Sequence, residues 1–305
     1  MKFLIILILI VSPLFFTGLI NKVKAIWAGR KGASVFQPYY DVFKLLRKGE
    51  VISRTTSFVF KVSPAVNISA MFFALMLIPF PLVGSLISFP GDFVLFAYLI
   101  GISRFFMLIA ALDTGSSFEG MGASREITFS TIVEPAFFLI IGSLALLTNQ
   151  NSFSTIFEML AFSSVYTILV KILFVVSLFI MILVEGCRVP VDDPDTHLEL
   201  TMIHEVMVLD YSGPDLAFIL YSSALKMVLI SSIIANLLTP SSLDVGPALL
   251  IFVAILLAIS VLIATIESLI ARSRISHVPQ FIFLMTALSL IAFGVITFFL
   301  HGNYK

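Results

Sequence analysis

Three long apolar stretches each hold one cation: Arg104, Lys171 and Lys226. An unpaired charge at mid-membrane costs at least about 2.5–3.5 kcal/mol on insertion scales, so each should turn inward to an acid or to water. The candidate acids are Glu134, beside Pro135 at the edge of one apolar run, Glu185 at the end of another, and Glu267, which could serve Lys226. Such groups read either as structural ion pairs inside a helix bundle or as a path for protons or ions. Lys171 would lie about 20 Å from Glu185 along one helix at 1.5 Å per residue. Glu134 and Glu185 would then mark an entrance and Lys171 an interior station, linked by water.

The segment from Glu185 to Asp215 is the richest in polar chemistry. Asp192, Asp193 and Asp195 stand among Pro190 and Pro194, and Asp195 or Thr196 can cap a helix expected over about 197–210. His197 and His204 would sit two turns apart on it, with Glu205 near. Two histidines without a third strong ligand make a poor metal set, and Val208 stands where a zincin motif needs its second histidine. No metal site is assigned. Because the acids alternate with Leu198, Leu200, Met202, Ile203 and Val206, the segment reads as a loop packed against protein.

Two further segments carry pattern. Residues 39–48 put Tyr39, Phe43 and Leu46 on one helical face and Asp41, Lys44 and Lys48 on another, which predicts a short helix lying at a membrane surface. Its basic stripe reads either as a grip on anionic headgroups or as a floor on which a peripheral protein docks. Gly115, Gly120 and Gly122 precede Arg125 and Glu126, and glycines this dense suggest close backbone approach. No Gly-Lys-Ser/Thr follows, so they do not form a phosphate loop.

The elements that must position these groups follow from composition. Of 305 residues, 59% are hydrophobic and 12% charged, with mean hydropathy +1.11. Soluble domains carry about 45–50% apolar and about 25% charged residues, so a soluble enzyme, a disordered chain and a nucleic-acid binder are excluded. Only helices and closed barrels satisfy the backbone in lipid, and the unbroken runs lack barrel alternation. Eight stretches approach the roughly 20 residues a span needs: about 3–20, 64–88, 93–112, 132–148, 163–184, 216–238, 247–270 and 279–300. The first has no small-residue cleavage site and reads as a retained span. The fold expected is therefore an all-α polytopic membrane protein, one membrane domain over 1–305, with short surface helices in its long loops.

Lysine and arginine set the orientation. Most of the 18 lie in the connections 21–63, 113–131, 185–215 and 271–278, which are therefore expected to be cytoplasmic, with both termini outside. The outer connections are short. Cys187 is the single cysteine, which excludes a disulfide, a CxxC pair and an iron–sulfur cluster ligated by this chain alone.

One combination of motifs carries a resemblance. Glu185, Arg188, Pro190, Asp192, Pro194, Asp195, Glu199 and Leu200, followed by Asp210-Tyr211-Ser212-Gly213, resemble the signature loop of the NuoH-type membrane subunit of respiratory complex I. Arg30, Gly32, Gln37-Pro38, Asp41 and Lys44-Leu45 resemble its first cytoplasmic loop, and Gly122-Ala123, Arg125 and Glu134 its next. The chain departs from the quinone-reducing type at Gly32-Ala33-Ser34, at Asp193 to Leu200 and over the longer segment Thr201 to Leu209. In these places it is similar to the membrane subunit of energy-converting (group 4) nickel–iron hydrogenases, of the formate hydrogenlyase, hydrogenase-4 component C and archaeal membrane-bound hydrogenase type.

That resemblance implies a membrane anchor and coupling subunit of a prokaryotic cell-membrane complex, with no active site of its own. Hydrogenase-like large and small subunits carrying the nickel–iron centre and iron–sulfur clusters would dock on its cytoplasmic loops through Arg30, Lys31, Gln37, Pro38, Asp41, Lys44, Arg125, Arg188 and Asp210. Glu134, Lys171, Glu185, Asp192, Asp195, Glu199 and Lys226 would couple electron transfer to proton or sodium movement. Antiporter-like and small membrane subunits, and lipid, would surround it. Two alternatives stay open: a quinone- or methanophenazine-reducing complex I relative, and a free-standing ion transporter. A transporter should hold its charges at the midplane on broken helices, whereas most charges here lie in the loops.

Overall fold

A computed structural model describes residues 2–160, 165–193, 202–240 and 243–302. Among these residues the ordered elements are α1 (Lys2–Trp27), α2 (Gln37–Leu46), α3 (Phe58–Leu77), α4 (Asp92–Asp113), α5 (Ser117–Thr148), α6 (Phe153–Met159), α7 (Val165–Glu185), α8 (His204–Met207), α9 (Gly213–Leu238), α10 (Val245–Leu269) and α11 (Val278–Gly302), with one 3-10 turn at Ile275–His277. Among them, eight (α1, α3, α4, α5, α7, α9, α10 and α11) are long and apolar enough to cross a membrane. The chain is a helical, multi-span membrane protein.

Local chemistry sets several boundaries away from the hydropathy reading. The second apolar stretch, expected over 64–88, is helical over Phe58–Leu77. Ser57 caps it by accepting the amide of Val59. It stops because Ile78 precedes Pro79, and a residue before proline is pushed out of the helical region; Ile78 has ψ 125°. The chain then folds tightly between Phe80 and Gly84. The segment 113–131, expected as a loop, is mostly helix: α5 begins at Ser117 and runs 32 residues. Its inward face carries Glu119, Gly122, Ala123, Phe129, Ser130 and Val133, at the three- and four-residue spacing of one helical stripe. Hydropathy misses this half because its face turns toward other protein rather than toward lipid. Asn149, at φ +53°, ends the helix in the left-handed region.

α9 is the most enclosed span, packed against α1, α3, α7 and α10. Polar side chains lock the bundle where apolar contact gives no net drive between helices. Ser103 donates to Asn67 Oδ1 at 2.6 Å, Asn236 donates to the Pro79 carbonyl at 2.8 Å, and the hydroxyls of Ser177 and Ser289 lie 2.8 Å apart.

The long connections meet at one end of the bundle. The Val51 amide donates to Ser212 Oγ at 3.0 Å, the Ser57 amide to Asp113 at 2.6 Å, and the Ser273 amide to the Pro190 carbonyl at 3.0 Å. Tyr211 stacks on Phe60 with ring centroids 4.0 Å apart, and its hydroxyl donates to the Phe60 carbonyl at 3.0 Å. Burial raises the Tyr211 phenol, which keeps it a neutral donor. The helix expected over 197–210 is a single turn, α8, within the described residues. Met202 and Ile203 before it are not helical, and residues 194–201 lie outside the described residues.

Candidate functional site

Four spans bring charges together at the inner end of this loop assembly. Arg104, on α4 and 8% exposed, donates to Glu134 Oε1 at 2.6 Å and to Glu185 Oε1. Its Nε lies 3.7 Å from Glu126 Oε1. Lys226, on α9, reaches Glu185 Oε2 at 3.1 Å. The planar guanidinium suits this hub, since its fork of donors can hold several carboxylates in fixed directions. Two cations face three carboxylates, so one carboxylate has no formal countercharge. A group of that stoichiometry in a low-dielectric interior can hold or release one proton with little change elsewhere. Glu134 differs from the rest, because its side chain is 54% exposed and faces the flank of the chain. A groove of about 70 Å³ beside it, bordered by Gly101, Phe138 and Met181, leads to Arg104 and Glu185.

The described parts of the loop between α7 and α9 are strapped down beside this cluster. Asp192, 1% exposed, takes Arg272 at 2.8 Å on Oδ1. Its Oδ2 accepts the amides of Ile203 (3.0 Å) and His204 (3.3 Å). Burial raises the Asp192 carboxyl, with Arg272 and the backbone amides opposing it. Arg125 donates to the Met202 carbonyl at 2.8 Å. Gly122 admits α8 to α5: a Cβ there would lie 2.3 Å from Val206 Cγ1 and 2.8 Å from the Ile203 carbonyl. This is the close backbone approach expected of the glycine-dense segment, made from within a helix.

His204 stands between loop and cluster. Its Nε2 is buried without a hydrogen-bond partner among the described residues. It borders a cavity of about 20 Å³ shared with Asn67, Ser103, Arg104, Glu126 and Lys226. Burial first, then the charge of Lys226, lowers its pKa to about 4. The unfolded imidazole titrates near 6.5, so the folded chain binds this proton less well than the unfolded one. The stability His204 contributes is therefore full above about pH 6.5 and is lost as pH falls toward 4, by about 3 kcal/mol at the limit. Thermal melts of wild type and His204→Gln between pH 4.5 and 7.5 should converge at acid pH as the wild type loses stability. Parallel curves would contradict the assignment.

The family profile of NADH dehydrogenase matches residues 1–298. The chain belongs to the NADH dehydrogenase family. It is 31% identical over 297 residues to hydrogenase-4 component C of Escherichia coli K12, covering 93% of this chain and 92% of that protein. It is 27% identical to formate hydrogenlyase subunit 4 of the same organism, covering 88% and 89%. Its fold matches a chain of the membrane-bound sulfane sulfur reductase, an archaeal respiratory membrane complex, with TM-score 0.80 at 18% identity over 97% of this chain and 98% of that one.

Within this NADH dehydrogenase-family fold, the residues named for coupling separate into groups. Glu134, Glu185 and Lys226 converge on Arg104. Lys171 does not join them: it sits half-buried on α7 with no ion pair among the described residues. Lys226 pairs with Glu185 rather than Glu267, which instead takes Lys24 at 3.1 Å and Arg188 at 3.4 Å. Asp192 organises the loop, and Asp195 and Glu199 lie outside the described residues. Of the residues named for docking, Arg30, Lys31, Asp41, Lys44 and Asp210 are exposed. Pro38 lies in the first turn of α2, and Gln37 donates to Asp41 at 2.8 Å. Arg125 and Arg188 are turned inward, Arg188 buried against Glu267.

Sequence reasoning read Arg104 as an intramembrane cation in an ion pair or on an ion path, but left it out of the residues named for coupling. It named Glu126 only as following the glycines, weighed His204 only as a metal ligand, and left Arg272 as a loop charge. Glu126 was missed because the half-helix holding it read as a loop. The signal available was Arg104 itself, a mid-span charge that requires acids from neighbouring helices.

Proposed function

We propose that this chain is the membrane subunit of an energy-converting, hydrogenase-type complex. On this reading it anchors a peripheral module and links electron transfer there to proton or sodium movement. The observation that carries the reading is the buried Arg104 group, in which Glu126, Glu134, Glu185 and Lys226 meet directly beneath a loop held by Asp192, Arg272 and Arg125. A partner that moves the loop would change the proton occupancy of the group. Kinship with hydrogenase-4 component C and formate hydrogenlyase subunit 4 supports the assignment.

Among the described residues no three His, Cys, Asp or Glu side chains converge as a metal site, and the single Cys187 is buried. On this reading, nickel–iron and iron–sulfur centres belong to large and small partner subunits, as kinship with the hydrogenase-type subunits suggests. Antiporter-like neighbours would continue the ion path from the Glu134 flank. The end bearing α2 is taken as cytoplasmic, because the lysines and arginines gather there.

Docking falls to the exposed charges alone. Reversing Arg30, Lys31 and Lys44 together should release the peripheral module from membranes at ordinary salt while the chain stays inserted, as read by blotting of membrane and soluble fractions. Retention of the module would remove these residues from the interface. The deciding experiment for the whole reading is purification through a tag on this chain, with mass spectrometry and metal analysis. A co-eluting nickel- and iron-bearing protein is expected. An isolated chain would favour the free-standing transporter.

A further inference from the structure

The groups so far assigned leave His204 without a role, although its ring faces the charged cluster from the loop side. Its backbone amide is held by Asp192, so the position of the loop sets the position of the ring. Its Nε2 is buried without a partner among the described residues, and the residue borders a space of about 20 Å³ lined by both polar and methionine side chains. A space of at least about 10–15 Å³ with two to four polar partners holds one water. Here the partners include Ser103, Glu126 and Lys226. A second void of about 10 Å³ also borders Glu126, together with Glu185, Cys187 and Asp192.

We propose that His204 carries protons between the loop and the Arg104 cluster, exchanging them with Glu126 through one water in the cavity they share. The step balances as a relay. The O–H bond of a protonated Glu126 breaks toward the water, an O–H bond of that water breaks toward Nε2, and imidazolium and carboxylate result. The return step reverses each bond.

The groups facing the ring set its direction. Lys226 on α9 opposes a second positive charge, while Glu185 on α7 and Asp192 in the loop favour one; Arg104 on α4 and Glu126 on α5 border the same space. Burial and Lys226 keep the ring neutral. The relay rests on the coupling function proposed above.

The test uses the intact complex in sealed membrane vesicles, reading ions moved per electron transferred. His204→Gln, which keeps a polar side chain but carries no proton at neutral pH, should lower that ratio about tenfold. His204→Ala should lower it similarly and recover, at least threefold, on adding imidazole. An unchanged ratio in His204→Gln overturns the relay. So does loss of assembly in both variants, or loss in His204→Ala that imidazole does not restore, since each marks a structural residue. Glu185→Gln, run alongside, separates the two ideas. A full ratio in His204→Gln with loss in Glu185→Gln overturns the relay alone, whereas full ratios in both overturn the coupling reading as well.

Discussion

Arg104→Ala should destabilise the protein by about 3–5 kcal/mol, the usual effect of removing one partner from a buried ion pair. Glu185, 3% exposed, would then keep only Lys226, while Glu126 and Glu134 would lose their shared cation. Carboxylates stripped of a countercharge in a low-dielectric interior cost far more than the pair itself gains. The thermal midpoint of the detergent-purified complex, and the amount of chain retained in membranes, measure this. Arg104→Lys should recover only part of the loss, because an ammonium cannot fork to several carboxylates as a guanidinium does. A further comparison separates stability from coupling. Replacing Arg104 and Glu185 together by methionine removes both charges and keeps bulk, so much of the stability should return. Ion movement should not. If Arg104→Ala melts with the wild type, the network is not what holds α4, α5 and α7 in register.

Glu185→Gln should uncouple the complex. The amide keeps the shape of the carboxylate and part of its hydrogen bonding, but it cannot hold a negative charge between Arg104 and Lys226. The two cations would then face only Glu126 and Glu134, and the surplus carboxylate that makes the group exchange a proton would be gone. A change of about 1.4 kcal/mol in proton occupancy already shifts an equilibrium tenfold, so ions moved per electron in sealed vesicles should fall at least about tenfold. Glu134→Gln, at the half-exposed end of the same chain of contacts, should give a smaller loss. A Glu185→Gln complex that pumps at the wild-type ratio would take the Arg104 group off the ion path.

Much of this architecture was legible without coordinates, and the residues show why. Length and hydropathy are properties of one segment at a time, and the bilayer imposes its thickness on each segment separately. Eight spans and a short helix expected over 39–48, found at Gln37–Leu46, could therefore be read directly, as could the need of Arg104 and Lys226 for buried acids. Ile78-Pro79 shortened the second span for an equally local reason.

What only the tertiary structure decided is which groups meet. Glu185 and Lys226, distant in sequence, touch because α7 packs on α9. Glu267 turns to Lys24 and Arg188 instead, and Lys171, as costly in the sequence as Lys226, has no place in the cluster. Arg188 and Asp192 read as charges of a loop packed against protein, but their partners did not; both are buried within this chain, because a loop that lies on helix ends must satisfy its polar groups internally. The long α5 belongs to the same class: its first turns face α8 rather than lipid, so no hydropathy window marks them. A sequence states what each segment costs in water or lipid. The pairing of charges depends on distances between segments, and those exist only once the helices are packed.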